Sequence, residues 1–368
     1  MRVIEIFGEP LSHGGQEAFI FSVLEKINMQ DLQIDFFTPY YSDNPMYEAM
    51  IAEKGGKLCA SGLDFVPGGN RKNIIAPLQK VLRENKYDVA HIHSGSISVL
   101  AYAAETAKKA GVPKVIVHSH ADGLVKNFKY RVSRALNGYR LDHYPDIYCA
   151  CSKKAGEWKF SRKVVENELI VLKNGIDVDR FRFDPTVRAK IRAQLGINED
   201  TVLIGQVGRL SRSKNHEFSI EILKKLRLQS DRYKMIFVGD GEMREQIESF
   251  ISSNGLTDHI ILVGNVNNVQ DYMNAMDVFI FPSLHEGFGI VAVEAQATGL
   301  PVIASDTIPR DINISGKVKF ESLGYAGAWT EDIKKIDLKN REDGADMIVG
   351  QKFDSVSVAE SVRELYFK

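Results

Sequence analysis

Two glutamates, Glu286 and Glu294, lie eight residues apart in a segment with several groups that could bind a charged ligand. Gly287 and Gly289 precede a predicted helix that begins near Ile290, after an apolar run that predicts a buried strand. Glycine lets a ligand approach the backbone closely, and the free N–H groups at a helix start attract an anion. A pyrophosphate suits this position, and the two carboxylates can accept hydrogen bonds from hydroxyl groups on either side of it.

A pair of cations forms a second candidate site. Arg209 and Lys214 lie five residues apart in a loop that follows a predicted strand and precedes a predicted helix. Arginine offers a forked contact to phosphate oxygens and lysine a point charge, so both can bind one diphosphate. In a reaction that expels a nucleoside diphosphate, such cations stabilise the charge that develops on the leaving group. A solvated basic loop is the alternative interpretation.

These two segments resemble the retaining GT-B glycosyltransferases of family 4, and the stretch from Thr307 to Phe320 resembles the exopolysaccharide and capsule branch more than the mannosyl branch. The resemblance depends on the E-x7-E spacing of the glutamates and on the G-R-L-x-x-x-K pattern that runs from Gly208 to Lys214. It implies an α/β fold of GT-B type, with two doubly wound parallel-sheet (Rossmann-like) domains that face a cleft. It covers nearly the whole chain and is tightest from Asn174 to Pro309.

The resemblance also assigns roles in the second half of the chain. It implies that Glu286 contacts the hydroxyls of the donor sugar and that Glu294 holds the nucleotide ribose. Arg209 and Lys214 then hold the diphosphate, together with the backbone of Gly287, Phe288 and Gly289.

Further residues of the site are implied in the first half. By the resemblance, the loop at Gly14 and Gly15 lies over the donor phosphate. Asn174 lies in an N-G-I-D turn at the hinge, although a plain Asn-Gly turn explains that sequence equally well. A histidine that follows a strand contacts a sugar hydroxyl or the acceptor, and His118 fits that position best, with His120 as the alternative. The predicted catalytic residues are therefore Glu286, His118, Arg209 and Lys214.

Metal binding is not expected from the sequence. His91 and His93 form an H-x-H pair, which points both rings to one side only if the strand continues, and the strand is predicted to end at residue 92. No carboxylate pair completes a ligand set with the histidines at the two strand ends. Asp177 and Asp179 spell the D-x-D motif of metal-dependent transferases, but they lie in a polar stretch between domains and are interpreted as incidental. We therefore expect no metal and no cofactor.

Short apolar runs alternate with helical patterns along the chain, and the alternation restarts after a polar stretch at 177–200. Two such series predict two parallel sheets, with ligand residues directly after the strands. The predicted domains are 1–172, with a helix at 355–368 that packs back on it, and 173–354. The predicted strands are Val3–Phe7, Ile34–Phe37, Val89–Ile92, Val115–His118, Ile147–Ala150 and Ile170–Leu172, then Val202–Val207, Met235–Val238, Ile260–Val263, Val278–Phe281 and Val302–Ala304.

Composition limits the partners. The 368 residues carry a formal net charge of -1, which disfavours nucleic acid as a partner. The chain lacks an apolar run of about 18 residues and a secretory signal, which predicts a cytoplasmic protein. The basic residues from Lys126 to Arg140 predict either an amphipathic helix at the membrane surface or an ordinary solvated face.

The sequence thus predicts a retaining transferase. It would move a sugar from a nucleotide diphosphate sugar, UDP being favoured, to a hydroxyl of a glycan or lipid-linked acceptor in bacterial surface polysaccharide synthesis. One alternative is a nucleotide-sugar epimerase of the same fold. Another is a non-catalytic subunit that stabilises an active glycosyltransferase.

Overall fold

The computed structural model describes residues 1–12, 14–120, 128–338 and 341–368, and of residues 128 and 129 the backbone alone. These residues form two compact units. Unit 1 comprises Met1–Gly175 together with Ser355–Lys368, and unit 2 comprises Ile176–Asp354. Each unit is built around one parallel sheet, which confirms the predicted fold class of two parallel-sheet α/β domains.

Unit 1 contains a seven-stranded sheet in the order β3-β2-β1-β4-β5-β6-β7. Its central strands are buried on both faces, as is usual for a parallel sheet covered by helices on each side. The strands are β1 (Arg2–Phe7), β2 (Gln33–Thr38), β3 (Leu58–Ala60), β4 (Val89–Ser94), β5 (Lys114–Ser119), β6 (Ile147–Ala150) and β7 (Leu169–Val171).

Helices connect these strands on both sides of the sheet. The helices are α1 (Gly15–Lys26), α2 (Pro45–Glu53), α3 (Ile75–Glu84), α4 (Ile97–Lys109), α5 (Phe128–His143), α6 (Lys153–Lys159) and α7 (Arg162–Asn167). Helices α1 and α4 contribute many of the buried residues of this unit.

The C-terminal helix, Ser355–Phe367, belongs to unit 1 although 179 residues of unit 2 precede it. Its Val358, Val362 and Leu365 are buried in one hydrophobic cluster with residues of α1. The ammonium group of Lys114 donates to two carbonyl oxygens of its last turn, at 2.7 and 3.3 Å. This helix therefore completes the core of unit 1.

Unit 2 contains a six-stranded parallel sheet in the order β10-β9-β8-β11-β12-β13. Its first helix starts at Pro185, where the Asp184 side chain accepts hydrogen bonds from the N–H groups of Thr186 and Val187. The strands are β8 (Val202–Val207), β9 (Tyr233–Val238), β10 (Ile260–Gly264), β11 (Val278–Phe281), β12 (Val302–Ser305) and β13 (Lys319–Glu321). The helices are α8 (Pro185–Gln194), α9 (His216–Arg227), α10 (Arg244–Ser253), α11 (Val269–Ala275), α12 (Ile290–Ala297), α13 (Ala326–Lys335) and α14 (Ala345–Gly350), and the C-terminal helix is α15.

The sequence prediction missed two strands and ended several others, β4 among them, one or two residues too early. β3 and β13 each have three residues and lie at the edge of a sheet, and a segment this short is below the length at which a strand pattern can be recognised. β4 was predicted to end at Ile92 but runs on to Ser94, with all six of its residues buried. Polar residues in a fully buried strand end the apolar run without ending the strand.

Most of the basic residues that are predicted to face either a membrane surface or solvent lie on α5. Lys126 and the side chain of Lys129 lie outside the described residues. Arg134 donates to the Lys159 carbonyl, and Arg140 donates to Glu105 at 2.6 Å, so part of the basic series binds within the unit. In the part of the chain that the structure describes, no helix has both the length and the apolar character to span a bilayer.

Candidate functional site

The loop between β11 and α12 positions the two predicted glutamates of unit 2. Gly289 caps α12 with a φ of +95°, a conformation that favours glycine. A Cβ atom on Gly289 would lie 2.8 Å from the ring of Phe281, so a side chain there would strike the last residue of β11. This turn leaves Glu286 in the loop and carries Glu294 into the second turn of the helix.

Lys214 and Glu286 contact each other directly. The ammonium nitrogen of Lys214 lies 2.6 Å from a carboxylate oxygen of Glu286, and the two side chains are only 18% and 13% exposed. Two further contacts join the loops that carry them: Leu284 N–H donates to the Ser213 carbonyl at 2.8 Å, and the Asn215 amide donates to the Pro282 carbonyl at 3.2 Å. Residues predicted from separate motifs therefore form one half-buried ion pair.

Glu294 is a partly buried carboxyl group on the same loop–helix segment. Burial raises its pKa from 4.5 to about 7, and the charge of Arg180 opposes this only in part. Desolvation disfavours the charged form of a carboxyl group, so near neutral pH it is present in both protonation states. In either state it can exchange hydrogen bonds with a ligand hydroxyl.

Arg209 pairs with a different carboxylate from the one that Lys214 binds. Its side chain is 72% exposed and binds Glu242 at 2.9 Å. It borders an open cavity of about 730 Å³, which is large enough for a small organic ligand. The cavity is lined by backbone and side chains of Gly208, Gly239, Asp240, Asn265 and Val266, among others.

The cavity depends on close contact between two backbone segments. Gly239 has a φ of +136°, and a Cβ atom there would lie 2.2 Å from the carbonyl oxygen of Gly208. A Cβ atom on Gly241 would lie 2.4 Å from the Leu210 carbonyl oxygen. From the sequence, the G-D-G segment at 239–241 is predicted to be a tight strand-to-helix turn first and a donor contact second, and Asn265 and Val266 were not predicted to lie near it. A glycine directly after an apolar run, Gly264 at the end of β10, could have indicated that the residues after it lie near a ligand.

The predicted residues of unit 1 are described within that unit alone. Gly14 caps α1, and the Ala18 N–H donates to its carbonyl oxygen at 2.9 Å. Gly15 is exposed and has open space around its Cα atom. The buried side-chain oxygen of Asn174 lacks a hydrogen-bond partner among the described residues. Their contacts with a donor stay predictions.

His118 is fully buried, and neither of its ring nitrogens has a hydrogen-bond partner among the described residues. Burial, followed by the neighbouring His120 and His93, holds its pKa well below the usual value, so the ring is neutral near pH 7. His120 is partly exposed, and its Nε2 lies 2.9 Å from Nδ1 of His93. His120 is therefore more accessible to a ligand than His118, and which of the two contacts a sugar stays a prediction.

The prediction that β4 ends at Ile92, which disfavoured a metal at these histidines, was wrong. Because β4 continues to Ser94, His91 and His93 point to the same side of the sheet, with ring centroids 4.0 Å apart. A buried carboxylate is also present, since Glu5 lies 2.6 Å from His93 and 3.4 Å from His91. Among the described residues, the one group of three or more candidate ligands is His91, His93 and His118.

The D-x-D aspartates form local contacts instead. Asp177 accepts from the Arg180 N–H at 3.5 Å, and Asp179 pairs with Arg182 at 3.2 Å. Neither belongs to the group of candidate metal ligands among the described residues.

Comparison with known proteins identifies the family. Residues 13–180 match the model of the Glycosyltransferase Family 4 domain, and residues 187–347 match the model of Glycosyl transferases group 1. The chain therefore belongs to the glycosyltransferases, with a family 4 domain match in its first half and a group 1 match in its second half. It is 29% identical over 349 residues to the putative glycosyltransferase EpsF of Bacillus subtilis, covering 92% of this chain and 88% of that protein. It is 28% identical over 260 residues to the capsular polysaccharide biosynthesis glycosyltransferase CapM of Staphylococcus aureus, covering 66% of each.

Solved structures show that this glycosyltransferase has the GT-B fold. HepE from Anabaena, crystallised with UDP, matches with a TM-score of 0.75 and 18% identity over 99% of both chains. WaaG, a glycosyltransferase involved in lipopolysaccharide biosynthesis, matches with a TM-score of 0.73 and 17% identity over 99% of both chains.

The raised pKa of Glu294 predicts a specific pH dependence of stability. The folded state binds this proton more tightly than the unfolded chain, so the contribution is fully present below pH 4.5 and is lost as the pH rises to about 7. The free energy of unfolding of the wild type, relative to that of Glu294→Gln, should fall across this window and stay level above it. Urea unfolding of both proteins between pH 4 and 8, without nucleotide, measures the difference. A difference independent of pH would contradict the burial of this carboxyl group.

Proposed function

We propose that the protein is a retaining transferase that moves a sugar from a UDP-sugar to a hydroxyl of a glycan or lipid-linked acceptor in bacterial surface polysaccharide synthesis. The half-buried pair of Lys214 and Glu286 is the observation that carries the proposal. A lysine that binds a diphosphate and a glutamate that binds sugar hydroxyls have to lie side by side, since a nucleotide sugar joins these groups directly.

The ion pair also suggests how the donor is accepted. A diphosphate offers Lys214 more negative charge than one carboxylate, so it can displace Glu286 from the ammonium group. The carboxylate of Glu286 then has free acceptor positions next to the sugar. Arg209, which is exposed and held only by a surface pair, can turn to the same diphosphate at little cost.

We assign the nucleoside to the part of the site around Glu294. Its carboxyl group accepts ribose hydroxyls. The cavity lined by Gly239 and Val266 is large enough for the base. UDP is the favoured nucleotide because the structurally similar HepE was crystallised with UDP and with UDP-glucose.

Catalysis in this proposal depends on the leaving group. Lys214 and Arg209 stabilise the diphosphate as its bond to the sugar breaks, and the N–H groups from Gly287 to Gly289 add fixed dipoles. The departing phosphate oxygen takes the proton of the acceptor hydroxyl, on the face from which the diphosphate leaves, so the configuration is retained. The donor diphosphate is held without a bridging metal ion.

Named relatives support the type of acceptor. One Escherichia coli relative, 30% identical over 244 residues, is named a UDP-Gal:alpha-D-GlcNAc-diphosphoundecaprenol alpha-1,3-galactosyltransferase. CapM is named a capsular polysaccharide biosynthesis glycosyltransferase, which points to a surface polysaccharide. The family assignment disfavours the epimerase, and the presence of Arg209, Lys214, Glu286 and Glu294 disfavours a non-catalytic subunit.

A peripheral contact with the membrane fits a lipid-linked acceptor. Val132, Leu136 and Tyr139 on α5 are 39%, 66% and 67% exposed and lie at helical spacing on one side. The basic Arg131 beside them is exposed as well. An apolar stripe flanked by basic residues is typical of a helix that lies in the membrane interface.

The nucleotide assignment is tested by calorimetry with UDP. Glu294→Ala and the double variant Arg209→Ala/Lys214→Ala should each lose about 1.5–3 kcal/mol of binding free energy, the cost of a charge-assisted hydrogen bond. Glu199→Ala, an exposed glutamate of the same unit, is the matched control and should bind UDP as the wild type does. Wild-type affinity in both site variants would reject this site.

Glu286 should affect the sugar and not the nucleotide. Glu286→Ala removes the partner of Lys214, so UDP affinity should stay within a few fold or rise, whereas sugar transfer should be almost abolished. Isothermal titration with UDP and a transfer assay with the cognate donor measure the two effects. A loss of UDP affinity equal to that of Glu294→Ala would place Glu286 at the nucleotide instead.

The membrane contact is tested with vesicles that contain anionic lipid. Leu136→Asp removes apolar area and adds a negative charge, which anionic lipid repels. Co-sedimentation of the protein with the vesicles should therefore fall several fold. Leu228→Asp, in unit 2, is the control because Leu228 is 83% exposed and lies far from α5 in sequence. Equal binding of the wild type and both variants would contradict a membrane contact through α5.

A further inference from the structure

Four imidazole rings meet at the carboxyl ends of β4 and β5 in unit 1. His91 and His93 lie on β4, His118 lies on β5, and His120 follows directly after it. The ring centroids of the first three are 4.0, 5.4 and 5.5 Å apart, and those three side chains are at most 1% exposed. His120 is partly exposed and lies on the outer side, with its ring 4.1 Å from that of His118.

Several nitrogens in this cluster lack partners. Nε2 of His91 and both ring nitrogens of His118 are buried without a hydrogen bond to any described residue. A buried polar atom without a partner costs stability, and an ion at the site is one physical explanation for such a group. One nitrogen from each of His91, His93 and His118 can be chosen so that all three lie within 4.8 Å of one another.

The opposite nitrogens of the two β4 histidines face a carboxylate. Nε2 of His93 lies 2.6 Å from Glu5, and Nδ1 of His91 lies 3.0 Å from the Tyr366 hydroxyl and 3.4 Å from Glu5. Tyr366 in turn donates to the second oxygen of Glu5. A carboxylate that accepts from one ring nitrogen fixes the tautomer and directs the other nitrogen to a metal, as is common in metal sites.

Charge balance favours a cation at the same place. Glu5 is 4% exposed and Tyr366 is 1% exposed, so the carboxylate has little access to water. A buried carboxylate needs a compensating positive charge. A divalent ion bound by the neutral imidazoles supplies that charge without adding a buried proton.

We propose that unit 1 binds one divalent transition-metal ion of the Zn²⁺ type through His91, His93 and His118, with His120 as the fourth ligand. Imidazole is a preferred ligand of zinc, and zinc bound by four protein groups is tetrahedral and closed. Zn–N distances of about 2.0–2.1 Å place ligand nitrogens roughly 3.4 Å apart. The rings therefore shift on binding, and Nδ1 of His93 and Nε2 of His120, now 2.9 Å apart, separate. The partly exposed His120 marks the access route.

We expect the metal to stabilise unit 1. All of its ligands lie in unit 1, and the residues assigned to UDP lie in unit 2. The inference therefore does not rest on the proposed function, and metal binding is measured without any transfer assay.

The test uses the untagged full-length chain and zinc as the probe. Elemental analysis of the purified protein, and titration of the chelator-treated protein with Zn²⁺, should give one ion per chain. The melting temperature should fall on chelation and recover with Zn²⁺. Replacement by Co²⁺ should give the visible absorption of a tetrahedral site.

Three variants sharpen the test. His118→Ala should lose stoichiometric binding. Glu5→Gln keeps every ligand but removes the orienting carboxylate, so it should weaken Zn²⁺ affinity about 10- to 100-fold. His143→Ala is the matched control, because His143 is an exposed histidine of unit 1 outside the cluster, and it should bind as the wild type does.

X-ray absorption of the zinc-loaded wild type decides the matter if a variant fails to fold. The proposal expects a shell of about four imidazole nitrogens at 2.0–2.1 Å. It is overturned if the wild type binds no stoichiometric Zn²⁺. It is also overturned if sulfur appears in the shell, or if folded His118→Ala and His143→Ala hold metal equally well.

Discussion

The geometry of parallel strands governs where this glycosyltransferase can do chemistry. Every strand of a parallel sheet points the same way, so all strand-to-helix loops leave at one edge of the sheet. In unit 2 that edge carries the loop after β8 with Lys214 and the loop after β11 with Glu286. Backbone and amide hydrogen bonds from Leu284 and Asn215 tie the two loops together. Charges that are 72 residues apart in sequence are thereby held at contact distance.

The same geometry has a different result in unit 1. In unit 1 the polar side chains that could bind a ligand lie on the strands themselves and not on the loops that follow them. Glu5 on β1, His91 and His93 on β4 and His118 on β5 occupy neighbouring strands in register. A sheet buried on both faces turns such residues inward, where each nitrogen and oxygen has to find a partner within the protein or a bound ion.

Much of unit 2 follows from its sequence, and less of unit 1 does. Glu286, Glu294 and Lys214 stand in loops with glycines and follow strong apolar strands, so their neighbourhood could be inferred from pattern and resemblance. Contacts between distant segments could not be inferred in this way. Nothing local marks Glu5 as the partner of two histidines, because it reads as a polar residue in an alternating first strand. The extra length of β4 was hidden because the same histidines interrupt its apolar run.

The C-terminal helix makes unit 1 discontinuous in the chain, and this has a consequence for how the protein is made. Residues 176–354 are contiguous, so unit 2 has its whole core as soon as they leave the ribosome. Unit 1, although its first 175 residues emerge earlier, lacks Val358, Val362 and Leu365 from its core until translation has passed them. Tyr366, the partner of Glu5, follows one residue after Leu365. The order of synthesis is therefore opposite to the order in which the two cores can be completed. Unit 1 is synthesised first, but its core stays incomplete until unit 2 has been synthesised.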